Sequence, residues 1–115
     1  MNIGYVRNST LKQENSVETQ TKQINDYCDL HGIKLDQIIV DEGISGSGEK
    51  TDLRKGYNQI IDLIDQGKVD NLVVISISRW GRNLGQTYKS VKLMGEKDTK
   101  FISIKENIDT SSPVG

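Results

Sequence analysis

Residues 72–77 read Leu72-Val73-Val74-Ile75-Ser76-Ile77, and the next six read Ser78-Arg79-Trp80-Gly81-Arg82-Asn83. A near-continuous apolar run of this length, with no polar alternation, is what a strand buried on both faces requires. Such strands belong to parallel sheets covered by helices on either side. Working outward, the same rhythm recurs. Upstream, Leu53 to about Gln66 forms a helix with Tyr57, Ile60, Ile61 and Ile64 on one face, stopped by Gly67. Downstream, Leu84 to Glu96 predicts another helix, and Phe101 to Ile104 a further strand.

The first half repeats the alternation. Ile3 to Val6 predicts a strand, and the polar stretch Asn8 to Asn15 a loop. Ser16 is placed to cap a helix that turns Val17, Ile24, Tyr27, Cys28 and Leu30 inward and ends at Gly32. Leu35 to Val40 is a second strand. It runs into a loop from Asp41 to Asp52 that contains Gly43, Gly46 and Gly48. Strand–helix alternation throughout predicts an α/β fold, a three-layer sandwich around a mostly parallel sheet. The tail from Lys105 to Gly115 carries no core pattern. Ligands in such sheets bind beyond the carboxyl ends of the strands, so the loops after the first three strands are the ones to inspect.

Length and composition bound the function. The chain has 115 residues, enough for one domain, and 27% of them are charged. No window approaches the roughly 18 apolar residues of a membrane span, and the start does not read as a signal sequence. A cytoplasmic, non-membrane protein is expected. Cys28 is the only cysteine, which excludes an internal disulfide and a cysteine-based zinc site. His31, the only histidine, falls at a helix end and reads as a capping or surface residue. The net charge of −1 is low for a self-sufficient DNA-binding domain, which gains much of its affinity by neutralising phosphates.

The arginines carry the information. Only four of the 15 basic residues are arginine: Arg7, Arg54, Arg79 and Arg82. Arg7 comes directly after strand one and Arg79 and Arg82 after strand three, while Arg54 opens the helix behind the glycine-rich loop. All four therefore converge on the carboxyl end of the sheet. A guanidinium grips phosphate oxygens through a planar fork that lysine lacks. Ser9 stands beside Arg7, with Thr10, Gln13 and Gln20 following. A loop serine is ordinarily a turn residue, but among convergent arginines it is a candidate nucleophile for phosphoryl transfer.

In these segments the sequence resembles the serine recombinase family of resolvases, invertases and large serine integrases. The matching pieces are Tyr5-Val6-Arg7-Asn8-Ser9-Thr10 with Gln13, Asp41-Glu42-Gly43-Ile44-Ser45-Gly46, Arg54-Lys55-Gly56-Tyr57, Ser78-Arg79-Trp80-Gly81-Arg82-Asn83, and the stretch from Glu106 to Gly115. They fall in the family's order and span nearly the whole chain. The resemblance implies that Ser9 attacks the scissile DNA phosphate and displaces the 3′ hydroxyl. The resulting 5′-phosphoseryl link stores the energy for religation, so neither metal nor ATP is required. It implies Arg7, Arg79 and Arg82 as active-site arginines, Arg54 as the one in the loop after strand two, and Gln13 and Gln20 in support. It also implies DNA as partner, and a homodimer that pairs into a homotetramer.

Three departures stand out. Ser78 occupies the position where many members carry aspartate, which leaves the general acid and base unassigned. Asn8 replaces the usual apolar residue between Arg7 and Ser9. The chain stops where the family begins a long dimerisation and DNA-contact helix. Residues 1–115 are thus expected to be a catalytic domain that recombines nothing alone, and that also accounts for the missing basic charge.

Other chemistries fit less well. Gly43-Ile44-Ser45-Gly46-Ser47-Gly48-Glu49-Lys50-Thr51 is a near miss for a phosphate-binding loop, with Glu49 where lysine is needed. His31 sits on the wrong helix for a hydrolase triad. Asp41 and Glu42, adjacent in extended backbone, would face opposite ways and could not share a metal. A catalytically dead DNA-bound scaffold would have little use for Ser9 and all four arginines.

Overall fold

The computed structural model describes residues 1–8, 17–42, 55–81 and 83–110. In chain order the elements are β1 (Asn2–Asn8), α1 (Val17–His31), β2 (Gln37–Glu42), α2 (Lys55–Asp65), β3 (Asn71–Val74), a 3-10 helix (Ile77–Arg79), α3 (Leu84–Glu96), β4 (Lys100–Ser103) and β5 (Ile108–Asp109). The strands form one sheet in the order β2-β1-β3-β4-β5. The first four run parallel, and β5 pairs antiparallel with β4. Strand order reverses between β1 and β3, so the crevice at their carboxyl ends is where a ligand site is expected.

Alternation along each strand splits the core in two, as a three-layer sandwich requires. Ile3 and Tyr5 of β1, with Ile39, Leu72, Val74 and Phe101, pack against α2 and α3 through Tyr57, Ile60, Ile64 and Met94. Val6, Val73 and Ile102 face the other way, onto Ile24 and Cys28 of α1.

At the amino end of the sheet each helix stops in the same way. Ile33 donates to the Cys28 carbonyl (2.8 Å), Lys68 to Leu63 (3.0 Å) and Thr99 to Met94 (2.8 Å). In each case the residue just before the donor is left-handed: Gly32 (φ 70°), Gly67 (φ 73°) and Asp98 (φ 61°). These are three Schellman closures, which satisfy carbonyls the helix itself cannot.

Several sequence expectations shift. Leu30 does not face inward: it is 81% exposed, and buried Gln20 joins Ile24 and Cys28 on the inner face instead. The second strand starts at Gln37 rather than Leu35, because β1 pairs with it from Ile3↔Gln37 onward. The third strand ends at Val74. Ile75 and Ile77 extend the apolar run because they pack on opposite cores while the backbone is already turning. Arg7 lies within β1 rather than after it, and the tail holds an edge strand, β5, that its short sequence did not announce. Ser16, most of the loop expected between Asn8 and Asn15, and the glycine-rich loop after β2 lie outside the described residues.

Candidate functional site

β1 carries Arg7 to the carboxyl edge of the sheet, on the same face as Ile3 and Tyr5. The side chain is buried, and one guanidinium N–H donates to the Ser78 carbonyl at 2.6 Å. The Arg7 carbonyl receives two donors, Nη1 of Arg79 (3.2 Å) and Nε2 of buried Gln20 (3.2 Å). Three elements therefore meet at the end of β1: α1 through Gln20, β1 through Arg7, and the turn after β3 through Ser78 and Arg79. Arg79 is half-buried, and among the described residues it makes no ion pair. Its guanidinium is held by a neutral carbonyl, which leaves the positive charge available to an anion.

Residues 79–81 and Asn83 each have a distinct structural job. Arg79 and Trp80 close the 3-10 turn by donating to the carbonyls of Ser76 and Ile77, both at 3.0 Å. Trp80 is fully buried and packs on Tyr5 (centroids 5.3 Å apart), Tyr57 (4.4 Å) and Phe101 (6.4 Å), while its Nε1–H donates to Ser90 Oγ at 2.8 Å. That anchor fixes the backbone on which Arg79 is mounted. Gly81 passes so close to α3 that a Cβ there would lie 1.8 Å from Thr87 Oγ1. Asn83 caps α3, its side chain accepting from the Gln86 N–H at 2.8 Å.

A second cluster sits beside it. Asp41, opposite Arg7 in the β1–β2 register, is buried. Its carboxylate accepts from the Tyr5 hydroxyl (2.7 Å) and from the N–H groups of Gly56 (2.7 Å) and Tyr57 (2.9 Å). It is thus an N-terminal cap for α2 supplied by a neighbouring strand, and its negative charge suits that helix end. Gly56 is required there because a Cβ would come within 2.6 Å of Ile39 Cγ2 and 2.9 Å of Asp41 Oδ1. The sequence presents Asp41 as a poor metal ligand and as part of a matching segment, not as a cap. Its capping role joins residues 15 apart, a link no local pattern displays.

Of the residues singled out by sequence, Arg7, Arg79 and Gln20 come together. Ser9, Gln13, Arg54 and Arg82 lie outside the described residues. Ser78 contributes its carbonyl to Arg7, and its hydroxyl is 3.1 Å from that of Ser76. Cys28 is buried, and desolvation, reinforced by Asp29, raises its pKa, so it is not a reactive thiolate. His31 is exposed and stacks on Tyr27, whose hydroxyl pKa is raised by burial, then by Asp109 and Cys28. A groove of about 590 Å³ beside α1 is lined by Tyr27, Leu30, Ile75 and Ile104 among others, and includes none of the arginines. Among the described residues no helix is long and apolar enough to cross a membrane.

Comparison with known proteins gives a consistent picture. The family model described as the resolvase N-terminal domain matches residues 2–115. The chain is 30% identical over 115 residues to a DNA-invertase of Enterobacteria phage P7, covering all of this chain and 54% of that protein. It is 33% identical over 115 residues to the serine recombinase gin of Escherichia phage Mu, covering all of this chain and 52% of that one. The chain thus spans about half the length of the curated relatives it matches. Among solved structures, the N-terminal catalytic domain of TP901-1 integrase superposes with a TM-score of 0.81 at 25% identity, over 97% of this chain and 82% of that one.

Proposed function

Because this chain belongs to the serine recombinase family, matching its resolvase N-terminal domain, we propose that it is the strand-cleaving and strand-joining part of a site-specific DNA recombinase. Ser9 is the nucleophile. It follows Arg7 by two residues in the sequence, a covalent reach of at most about 7 Å. Its Oγ gives up its proton as it bonds to phosphorus, the P–O3′ bond breaks, and the 3′ oxygen takes up a proton and leaves as a hydroxyl, so protons balance. One phosphoester replaces another, so the reverse attack by a 3′ hydroxyl rejoins DNA without ATP.

The observation that carries this reading is the pairing of Arg7 and Arg79 through backbone carbonyls at the sheet's switch point. Backbone carbonyls hold both guanidiniums, and charge building on the non-bridging phosphate oxygens is met by their positive field. Arg82, three residues beyond Arg79, and Arg54, directly before α2, extend that clamp. Gln13 supports the nucleophile's loop. Gln20 acts behind the site, since its amide holds the Arg7 carbonyl rather than facing substrate. DNA is the partner, in the cytoplasm. The whole protein works as a homodimer that pairs into a homotetramer, and residues 1–115 alone bind DNA weakly and without sequence preference.

The test is a covalent adduct. Full-length protein is incubated in EDTA with a supercoiled plasmid carrying the DNA that flanks its own gene, and quenched with detergent. A protein–DNA band is expected from wild type and none from Ser9→Ala. Loss of the wild-type band on chelation, or its persistence in Ser9→Ala, would sink the mechanism.

A further inference from the structure

We propose that Glu106 is a positioning residue for strand cleavage, setting the turn that presents Arg79 and holds Arg7; this rests on the function proposed above. Glu106 is an exposed residue in the turn between β4 and β5, where a glutamate usually has nothing to hold. Here its Oε1 accepts from two elements at once. One donor is the Ser103 hydroxyl, fully buried at the end of β4. The other is the Ile77 N–H, at 3.2 Å.

Ile77 is the first residue of the 3-10 helix. Ser76, the residue before it, makes no side-chain capping bond; its hydroxyl faces that of Ser78. The cap for this turn therefore comes from another strand. A carboxylate serves well there, because a bond to a charged acceptor is roughly twice as strong as a neutral one. The turn that carries Glu106 is itself fixed. Ile104 and Lys105 donate to the carbonyls of Val74 (3.0 Å) and Ile75 (2.8 Å), and Asn107 adopts φ 58° with its N–H on the Ile104 carbonyl (3.1 Å). Asparagine is among the few side chains that accept this left-handed backbone at small cost.

Glu106 holds Ile77, and the same short helix supplies the Ser78 carbonyl to Arg7 and the Arg79 guanidinium to the Arg7 carbonyl. Releasing Ile77 lets the helix drift, and both guanidiniums drift with it. Misplacement by about 1 Å in such a clamp costs on the order of 100-fold in rate, with little change in binding.

The test compares Glu106→Ala, Glu106→Gln and Ser103→Ala in the full-length protein, using the Ser9-dependent adduct and amide exchange at Ile77. Glu106→Ala is expected to slow adduct formation at saturating DNA at least about tenfold, with half-saturation within about twofold of wild type. Its Ile77 amide should exchange faster. Glu106→Gln keeps a carbonyl acceptor and should recover most of the rate. Ser103→Ala, which leaves the cap but frees it from β4, should slow the reaction by a few-fold, and decides the matter if Glu106→Ala does not fold.

A wild-type rate in Glu106→Ala, an unchanged Ile77 amide, or a loss that glutamine fails to restore would overturn the proposal. So would a wild-type rate in Ser103→Ala. A wild-type protein that forms no adduct would instead defeat the function, and the Ile77 amide would still report on the cap.

Discussion

The two ends of the sheet are built by different means. At the amino end, helices stop in three Schellman turns, and the first residues of the chain are stitched down by amides and carboxylates. Asn2 N–H meets Asp36 at 2.6 Å, Asn2 Nδ2 meets the Lys34 carbonyl at 2.8 Å, and Asn71 Nδ2 meets Asn2 Oδ1 at 2.9 Å. At the carboxyl end, side chains from distant elements grip backbone carbonyls, and Arg7 and Arg79 are placed without using Arg79's charge. One end closes the chain on itself. The other leaves binding capacity open, as a functional site must.

The sharpest attempt to break this contrast is Arg79→Lys. The substitution keeps the charge but loses the fork that reaches the Arg7 carbonyl and a phosphate together. Cleavage is expected to fall at least about 100-fold, with a melting temperature within about 2 °C of wild type. Near-normal cleavage with a large loss of stability would mean that the carboxyl end is merely another structural clasp.

Tyr5→Phe probes the border between the two kinds of construction. It removes the hydroxyl that donates to buried Asp41 and leaves Trp80 and Tyr57 packing unchanged. An acceptor deprived of a partner in the interior costs about 1–2 kcal/mol, readable by denaturant unfolding. Because Asp41 also caps α2, cleavage should fall by only a few-fold. A drop as large as that of Arg79→Lys would place Asp41 inside the clamp rather than behind it.

Gly67→Ala isolates the amino end. A Cβ there meets nothing within 4 Å, so only the left-handed backbone at φ 73° is tested. A cost of about 1 kcal/mol is expected, with no effect on cleavage per folded molecule. Asp98→Gly, at the equivalent position after α3, should have the opposite sign and a smaller size, about 0.5 kcal/mol of stabilisation. If Gly67→Ala slowed cleavage, the two ends would not be independent.

The same division explains what the sequence disclosed. Gly32 and Gly67 announce their helix ends because the turn chemistry is local, and the alternation of apolar runs gives the layers. Arg7 and Arg79 were legible because arginine is scarce in this chain and falls beside strand ends. Asp41 and Glu106 were not, since each acts on a backbone N–H 15 or 29 residues away. Leu30 misled because helical spacing marks a face without telling whether the sheet extends beneath it. β5 escaped because two residues of strand have no period. Ser9, Gln13, Arg54 and Arg82 rest on sequence position and resemblance.

The smallest effect belongs to an ion pair at the amino end. The Met1 amino group lies 2.7 Å from Asp70 Oδ2, and hydrogen bonding to that amine, then its charge, lowers the Asp70 pKa. A carboxylate whose pKa is lower folded than unfolded adds stability above the unfolded value and loses it as pH falls through the folded one. Asp70→Asn should therefore be slightly less stable than wild type at neutral pH, and the gap should close below about pH 4. Because the pair is exposed, 1 M salt at neutral pH should close the gap as well. A gap that persisted under both conditions would mean that Asp70 acts through the geometry of its turn. The amino end would then be held by hydrogen bonding alone, and its contrast with the charged carboxyl end would be complete.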